Sequence, residues 1–258
     1  MLLAVDIGNT DVVAAVLNDG EPVGQTLRTP SDPGRDAAQY AAELSAFLAR
    51  GDIAVSELDT AVLCSVVPPL TETLRAAIHS AAGLDALVVG AALDSGLTLA
   101  IEEPETLGAD IIAADAAAAE LYPLPVIVFD YGSATTVTAV DEQRVYRGGV
   151  ILAGMKLSLQ ALARGTAQLP AVDLAAPGSI LATETADALC GGAVYGTAAM
   201  TDGMIERMET ALGRPCTAVA TGGLGRFIAP HCRRPIVYDE HLVFRGMALL
   251  ARKNAEKK

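Results

Sequence analysis

The chain is poor in aromatic residues. It has no tryptophan, four phenylalanines and six tyrosines among 258 residues. Flat rings on which nucleobases or sugars stack are therefore scarce. We expect any nucleotide base to rest against glycine and aliphatic side chains instead.

Histidine and cysteine are also scarce, and their spacing excludes the usual metal motifs. The three histidines stand apart with no partner four residues away, which argues against a zinc site. The four cysteines are equally scattered and form no C-x-x-C pair. We interpret them as reduced, structural residues.

Positive charge and long apolar runs are lacking as well. Eighteen Lys and Arg stand against 31 Asp and Glu, a formal net charge of -13, which argues against a nucleic-acid partner. No apolar run approaches the about 18 residues of a membrane span, and the first one meets Asp6 after five residues, unlike a secretory signal. We expect a cytoplasmic protein with no membrane partner.

Short apolar runs alternate with alanine-rich stretches along the chain, which predicts an α/β fold. Strands are predicted at 1–5, 12–17, 60–67, 86–90, 126–130, 136–140 and 147–152, and helices near 36–50, 70–82, 110–122 and 185–212. Pro123 and Pro125 interrupt helix between the two halves. We predict two domains, residues 1–122 and 123–258.

Each half begins with the same sequence pattern, an acid at the end of a strand before a glycine turn. The polar and glycine residues are Asp6, Gly8, Asn9 and Thr10 in the first half and Asp130, Gly132, Ser133, Thr135 and Thr136 in the second. Glycine lets the backbone turn tightly against a phosphate, the polar groups can donate to its oxygens, and each Asp can hold a cation. One copy alone is ordinary turn chemistry, but the repetition predicts that the two turns bind the phosphates of a nucleotide, with Asp6 and Asp130 as candidate cation ligands.

This duplication resembles the sugar kinase, heat-shock and actin superfold. In that superfold ATP lies in a cleft between two duplicated ribonuclease-H-like domains. A third element, the apolar run 218–221 followed by Gly222 and Gly223, matches the place where the superfold packs adenosine. The resemblance implies an actin-like ATPase architecture for this chain.

The order of the motifs resembles one family in particular, the type III pantothenate kinases. In chain order the matching segments are residues 6–10, 64–71 (Cys-Ser-Val-Val-Pro-Pro-Leu-Thr), 108–110 (Gly-Ala-Asp), 130–136, 148–149 with Gly154, and 221–224. The resemblance implies ATP, Mg²⁺ and a monovalent cation (K⁺ or NH₄⁺), a homodimer, and phosphorylation of the primary hydroxyl of pantothenate in the first step of coenzyme A biosynthesis.

The resemblance also assigns the acceptor side of the site. Asp110 matches the general base, Gly108 lies in the same motif, and Thr185 matches a threonine that reaches the substrate of the neighbouring subunit. By itself Asp110 would be read as an acid in the first turn of a helix, where exposed N–H groups and the helix dipole favour it. The Gly-Ala-Asp match favours the general base.

Two departures from the family pattern fall on the substrate side. Ile111 stands where the family has an arginine, and Ile101 where it commonly has a tyrosine. An isoleucine cannot donate to a carboxylate as arginine does. Three hypotheses therefore stay open: a pantothenate kinase, a paralogue that phosphorylates another alcohol, and a non-catalytic nucleotide-binding regulator. A purely structural role for each acid, capping a turn, is the fourth alternative.

Overall fold

The structure, a computed structural model, describes residues 1–255 and divides into two compact units. One unit comprises Met1–Glu120 and the residues from His241 onward, and the other comprises Leu121–Glu240. The predicted second domain comprises residues 123–258. The structure instead assigns the residues from His241 onward to the first unit, and residues 256–258 lie outside the described part. The physical reason is that Phe244, Met247 and Leu250 pack into the core of the first unit.

The elements follow one another in an α/β alternation. The strands are β1 (Leu2–Ile7), β2 (Asp11–Asn18), β3 (Glu21–Pro22), β4 (Leu27–Pro30), β5 (Thr60–Ser65), β6 (Leu87–Val88), β7 (Thr98–Leu99), β8 (Val126–Tyr131), β9 (Ala134–Val140), β10 (Val145–Ala153), β11 (Thr217–Thr221) and β12 (Val237–Tyr238). The helices are α1 (Ala37–Arg50), α2 (Pro68–Ala82), α3 (Ala109–Leu121), α4 (Met155–Gly165), α5 (Thr185–Leu212), α6 (Gly225–Ile228) and α7 (Leu242–Ala255). No helix within residues 1–255 is both long enough and apolar enough to span a bilayer.

The sheet of the first unit has the strand order β3-β2-β1-β5-β6, with β4 also paired to β2. Strand β2 runs antiparallel to β1, whereas β5 runs parallel to β1 and β6 runs parallel to β5. Helices α1 and α2 cover one face of this sheet, and α3 and α7 cover the other. All its central strands are therefore buried on both sides, as their nearly continuous apolar sequences require.

The second unit repeats this topology. Its own strands lie in the order β10-β9-β8-β11-β12, with β9 antiparallel to β8 and β10, and with β8, β11 and β12 parallel. Each position matches its counterpart in the first unit in order and direction. The predicted α/β fold with two ribonuclease-H-like domains is confirmed by this duplication.

Local sequence signals explain where several helices begin and end. Asp36 and Gln39 form a reciprocal capping box at the start of α1. Two prolines open α2, where their missing N–H groups cost nothing, and Gly83 ends it in the left-handed conformation. The parallel pairing of β1 with β5 places their C-terminal ends side by side, and Asp6 lies at this edge of the sheet.

Candidate active site

The first glycine turn joins β1 to β2. Asp6 lies near the end of β1, and the backbone N–H of Gly8 donates to the Asp11 carbonyl at 3.0 Å, which closes the turn. Asn9 and Thr10 are exposed at its tip. The structure thus presents Asn9 and Thr10 to solvent, at the end of a buried strand.

The Asp6 carboxyl group lies in surroundings that oppose its charge. Burial, and next the negative charge of Asp110, raise its pKa from 3.8 to about 7. A hydrogen bond from the Cys64 thiol and the positive charge of Arg28 act in the opposite direction. Cys64 reaches Asp6 because these two residues are register partners in the parallel pair β1 and β5. The structure therefore brings Asp6 and Asp110, 104 positions apart in the sequence, into one electrostatic environment.

Asp110 is the second residue of α3. Its Oδ1 accepts a hydrogen bond from the Ile111 backbone N–H at 2.8 Å, and burial raises the pKa of its carboxyl group. A Cβ on Gly108 would overlap that same Oδ1, so the glycine leaves room for the carboxylate. An acid that merely caps a first helical turn is normally solvated. Asp110 is instead partly buried.

The two isoleucines on the predicted substrate side lie in the same unit. Ile111 is the third residue of α3, directly after Asp110, and it is partly buried. Ile101 follows β7 in a bend and is also partly buried. Neither side chain can donate a hydrogen bond, so the polar groups that the family pattern places here have no counterpart at these two positions.

The second glycine turn joins β8 to β9 in the other unit. Asp130 and Thr136 are register partners across the two strands, as are Tyr131 and Thr135. The Gly132 N–H donates to the Ala134 carbonyl at 3.0 Å. Ser133 is exposed at the tip, whereas Thr135 is buried. This turn repeats the placement of the first one at the corresponding point of the duplicated sheet.

Two glycines from elsewhere in the chain support the second turn. Gly222 has a φ of +81°, and a Cβ there would overlap Asp130 Oδ1 and lie 2.7 Å from the Tyr131 carbonyl oxygen. The N–H of Gly154 donates to the Ser133 carbonyl at 3.1 Å, and no side chain fits at that position either. Gly223 is exposed, and a Cβ added there would meet nothing within 4 Å. The predicted adenosine element therefore touches the second turn through Gly222.

A cavity of about 410 Å³ lies in the second unit next to this turn. Thr135 forms part of its wall, together with residues of α4 and with Ala188, Gly192 and Gly196 of α5. Thr185 is exposed at the first position of α5, one turn before Ala188. The sequence did not indicate this cavity, because most of the α5 residues in its wall are small residues whose ordinary role is close helix packing.

The donor set of the first unit fits a divalent cation with phosphate. The described residues contain no group of three or more His, Cys, Asp or Glu placed to hold a metal by themselves. A cation at Asp6 would therefore complete its shell with phosphate oxygens and water, which is how Mg²⁺ is usually bound. It would also relieve the repulsion between the two carboxylates. The sequence did not indicate that Cys64 and Arg28 act on Asp6. Only the pairing of β5 with β1 and of β4 with β2 brings these two residues near it.

Comparison with known proteins agrees with the motifs. The family model for type III pantothenate kinase matches residues 2–207. A type III pantothenate kinase of Zymomonas mobilis is 38% identical over 261 aligned residues, covering 100% of this chain and 94% of that one. One of Bifidobacterium longum subsp. infantis is 36% identical, covering 99% and 100%. A ROK family glucokinase from Streptomyces griseus, solved with glucose and AMPPNP, has a TM-score of 0.55 at 14% identity, covering 97% and 99%, which shows the shared fold.

Proposed function

The chain belongs to the type III pantothenate kinase family, and we propose that it phosphorylates the primary hydroxyl of pantothenate in the first step of coenzyme A biosynthesis. Family membership makes it an ATP-dependent phosphotransferase that acts on an alcohol. The structural observation that supports a phosphoryl-transfer site is the placement of Asp110 in the electrostatic environment of Asp6, because we assign Asp110 as the proton acceptor and Asp6 as a phosphate and metal ligand.

In the proposed reaction the acceptor oxygen bonds to the γ-phosphorus while the bond between that phosphorus and the β,γ-bridging oxygen breaks, which releases ADP. The hydroxyl proton passes to the Asp110 carboxylate. A loose transition state needs this transfer only late, so the main tasks are alignment and charge neutralisation. A bound Mg²⁺ would supply part of that neutralisation. Asp6 would hold this cation, and the partly buried position of Asp110 would restrict competing water.

We assign phosphate binding to the two glycine turns, each within its own unit. Gly8, Asn9 and Thr10 would contact phosphate oxygens in the first turn. Gly132, Ser133, Thr135 and Thr136 would do so in the second, with Asp130 as a cation ligand and Gly222 and Gly223 beside the adenosine. The support is the repeated acid and glycine placement at corresponding strand ends. The monovalent cation, K⁺ or NH₄⁺, belongs to the proposal through the family resemblance.

A homodimer is also part of the proposal. Its support is a group of strongly exposed apolar side chains in the second unit, Ile151 (74%), Ile180 (68%) and Leu181 (83%). Isolated exposed apolar residues are normal, whereas contiguous exposed apolar surface marks an interaction site, and we propose that a second copy of the chain covers these side chains. Thr185, four residues after Leu181, would then reach the substrate bound to the partner. Sedimentation of the purified chain measures the oligomeric state directly.

Ile101 and Ile111 bear on the identity of the acceptor alcohol. If pantothenate is the substrate, its carboxylate is held by groups other than the side chain at position 111. If the acceptor is another, less polar alcohol, these two isoleucines are the specificity determinants. In both cases Asp110 has the same role, because any alcohol must lose its proton.

The test is ADP release by the full chain with ATP, Mg²⁺ and K⁺, NH₄⁺ or Na⁺, with and without pantothenate. A panel of small alcohols and hydroxy acids runs in parallel. We expect pantothenate-dependent release that is faster with K⁺ or NH₄⁺ than with Na⁺. Release only with another alcohol would reassign the acceptor, and nucleotide binding without transfer to any alcohol would refute the kinase proposal.

A further inference from the structure

Ser31, a residue outside every motif, holds the first glycine turn. It follows β4 and lies 23 positions from Gly8, yet its hydroxyl donates to the Gly8 carbonyl at 2.6 Å. Its backbone N–H also donates to the Thr10 carbonyl at 3.0 Å. One residue thus bonds to the carbonyl groups on both sides of the tip of the turn.

These two bonds fix the direction of the backbone in the turn. In a planar trans peptide the C=O and N–H groups point in opposite directions. The bond to the Gly8 carbonyl therefore directs the Asn9 N–H away from Ser31, and the bond to the Thr10 carbonyl does the same for the Asp11 N–H. Backbone N–H groups held in fixed directions at a turn form the concave sites that bind phosphate oxygens.

Ser31 is itself held firmly from both sides. The buried Tyr40 of α1 accepts a hydrogen bond from the Asp32 N–H at 3.0 Å, and its hydroxyl lies 3.2 Å from the Pro30 carbonyl oxygen. Strand β4 is fixed along β2 up to Pro30, and Arg28 forms an ion pair with Asp11 at 2.7 Å. Both chain neighbours of Ser31 are anchored, so its hydroxyl is presented to the turn without further ordering.

We infer that Ser31 is a positioning residue for nucleotide binding: it orients the backbone donors of the first phosphate turn without contacting the phosphate. The inference rests on the proposed function, because it assumes that this turn binds ATP. The effect of Ser31 on the turn can be measured without any turnover. The hydroxyl of Ser31 restrains the peptide that carries the Asn9 N–H even when no nucleotide is bound.

The test compares Ser31→Ala, which deletes the hydroxyl, with Ser31→Thr, which retains it. Isothermal titration with AMPPNP and Mg²⁺ gives the Kd, steady-state kinetics give KM and kcat, and amide hydrogen exchange of residues 8–11 reports the turn itself. We expect Ser31→Ala to raise the Kd and the KM for ATP about fivefold to tenfold, the effect of one net hydrogen bond, with kcat within about twofold. Ser31→Thr should restore both values, and exchange should accelerate only in the alanine variant.

Ser95→Ala is the matched control. Ser95 is a buried serine of the same unit whose Oγ accepts from the Leu97 N–H at 3.3 Å, in a turn with no predicted role at the site. It should leave the Kd unchanged. If Ser31→Ala fails to fold, Tyr40→Phe, which frees Pro30 and Asp32, should loosen the same turn.

The outcomes separate this inference from the proposed function. An unchanged Kd in Ser31→Ala, while the wild type binds AMPPNP, overturns the inference and leaves the kinase intact. A wild type that binds no nucleotide overturns the kinase proposal and, with it, the role in nucleotide binding. Equal hydrogen exchange of residues 8–11 in wild type and Ser31→Ala overturns the inference in either case.

Discussion

Asp110→Asn tests both the chemistry and the electrostatics of the site. The substitution keeps the shape of the side chain, and the amide oxygen can still accept from the Ile111 N–H. It removes the negative charge and the capacity to take up the acceptor proton. We expect kcat with pantothenate to fall by about two to four powers of ten, the usual contribution of a general base, with the KM for ATP within about threefold.

The same variant should be more stable than the wild type when no ligand is bound. The rise in the pKa of Asp6 from 3.8 to about 7 corresponds to roughly 4 kcal/mol at most, and less after solvent screening of this partly exposed group. Burial is the larger cause, and the Asp110 charge is the next one. Removing that charge should therefore raise the free energy of unfolding by on the order of 1 kcal/mol at pH 8.

The pH dependence has a definite sign. A carboxyl group whose pKa is raised by folding binds its proton more tightly in the folded state than in the unfolded state. Its contribution therefore lowers the free energy of unfolding as pH rises from about 4, the ordinary pKa, up to about 7 for Asp6, and is constant above that. Asp110→Asn should reduce this slope, because its own raised pKa and its effect on Asp6 both disappear.

The assay is urea unfolding of the ligand-free chain at several pH values between 4.5 and 8, beside steady-state ADP release. Glu105→Gln is the control, since it removes an exposed acid from the turn before α3. It should leave kcat and the slope unchanged. Turnover of Asp110→Asn within threefold of the wild type would remove Asp110 as the base. A variant less stable than the wild type at pH 8 would refute the electrostatic reasoning.

Three further substitutions test other parts of the structure. Gly222→Ala places a Cβ against the second turn at a left-handed φ, so we expect a loss of about 2 kcal/mol or more in urea unfolding and a Kd for AMPPNP raised over tenfold, whereas Gly223→Ala should change the free energy of unfolding little. Ile111→Arg should lower the KM for pantothenate about tenfold if that position is the missing carboxylate partner, and an unchanged KM would contradict our interpretation of the departure. Gly246→Ala inserts a methyl group into the backbone of α3 and should cost about 3 kcal/mol, with Gly90→Ala, which has open space, as the control.

Periodicity and turn chemistry were enough to predict most of the fold. The predicted helix 185–212 has those bounds in the structure, and the two acid and glycine turns follow β1 and β8 as expected. Both signals are local, since they depend on residues that are neighbours in the sequence. The strand predicted at 86–90 forms only Leu87–Val88, because propensity does not report how long a strand stays paired with its neighbour.

What the sequence did not reveal depends on long-range contacts. The packing of α7 into the first unit requires Gly246 to meet the backbone of Ala113, a match of surfaces and not of motifs. Ser31 has no signature of its own, and the segment 64–71 matched the family without indicating a contact of Cys64 with Asp6. Both contacts arise because β4 and β5 end beside the first turn. The site residues stay predictions, and the geometry adds a set of partners for them.

The placement of the two acids bears on the hypothesis of a non-catalytic regulator. A protein that only binds nucleotide needs a cation ligand such as Asp6, but it has no use for a second carboxylate that raises the pKa of the first. The charge of Asp110 opposes that of Asp6, so we expect it to lower the free energy of unfolding in the absence of ligand, and a glycine at position 108 makes room for its oxygen. A first-turn acid with a purely capping role would gain more from a solvated position, where its charge is not opposed by burial. The arrangement has a physical reason if Asp110 takes up a proton in the reaction, and it therefore favours an active kinase over a regulator.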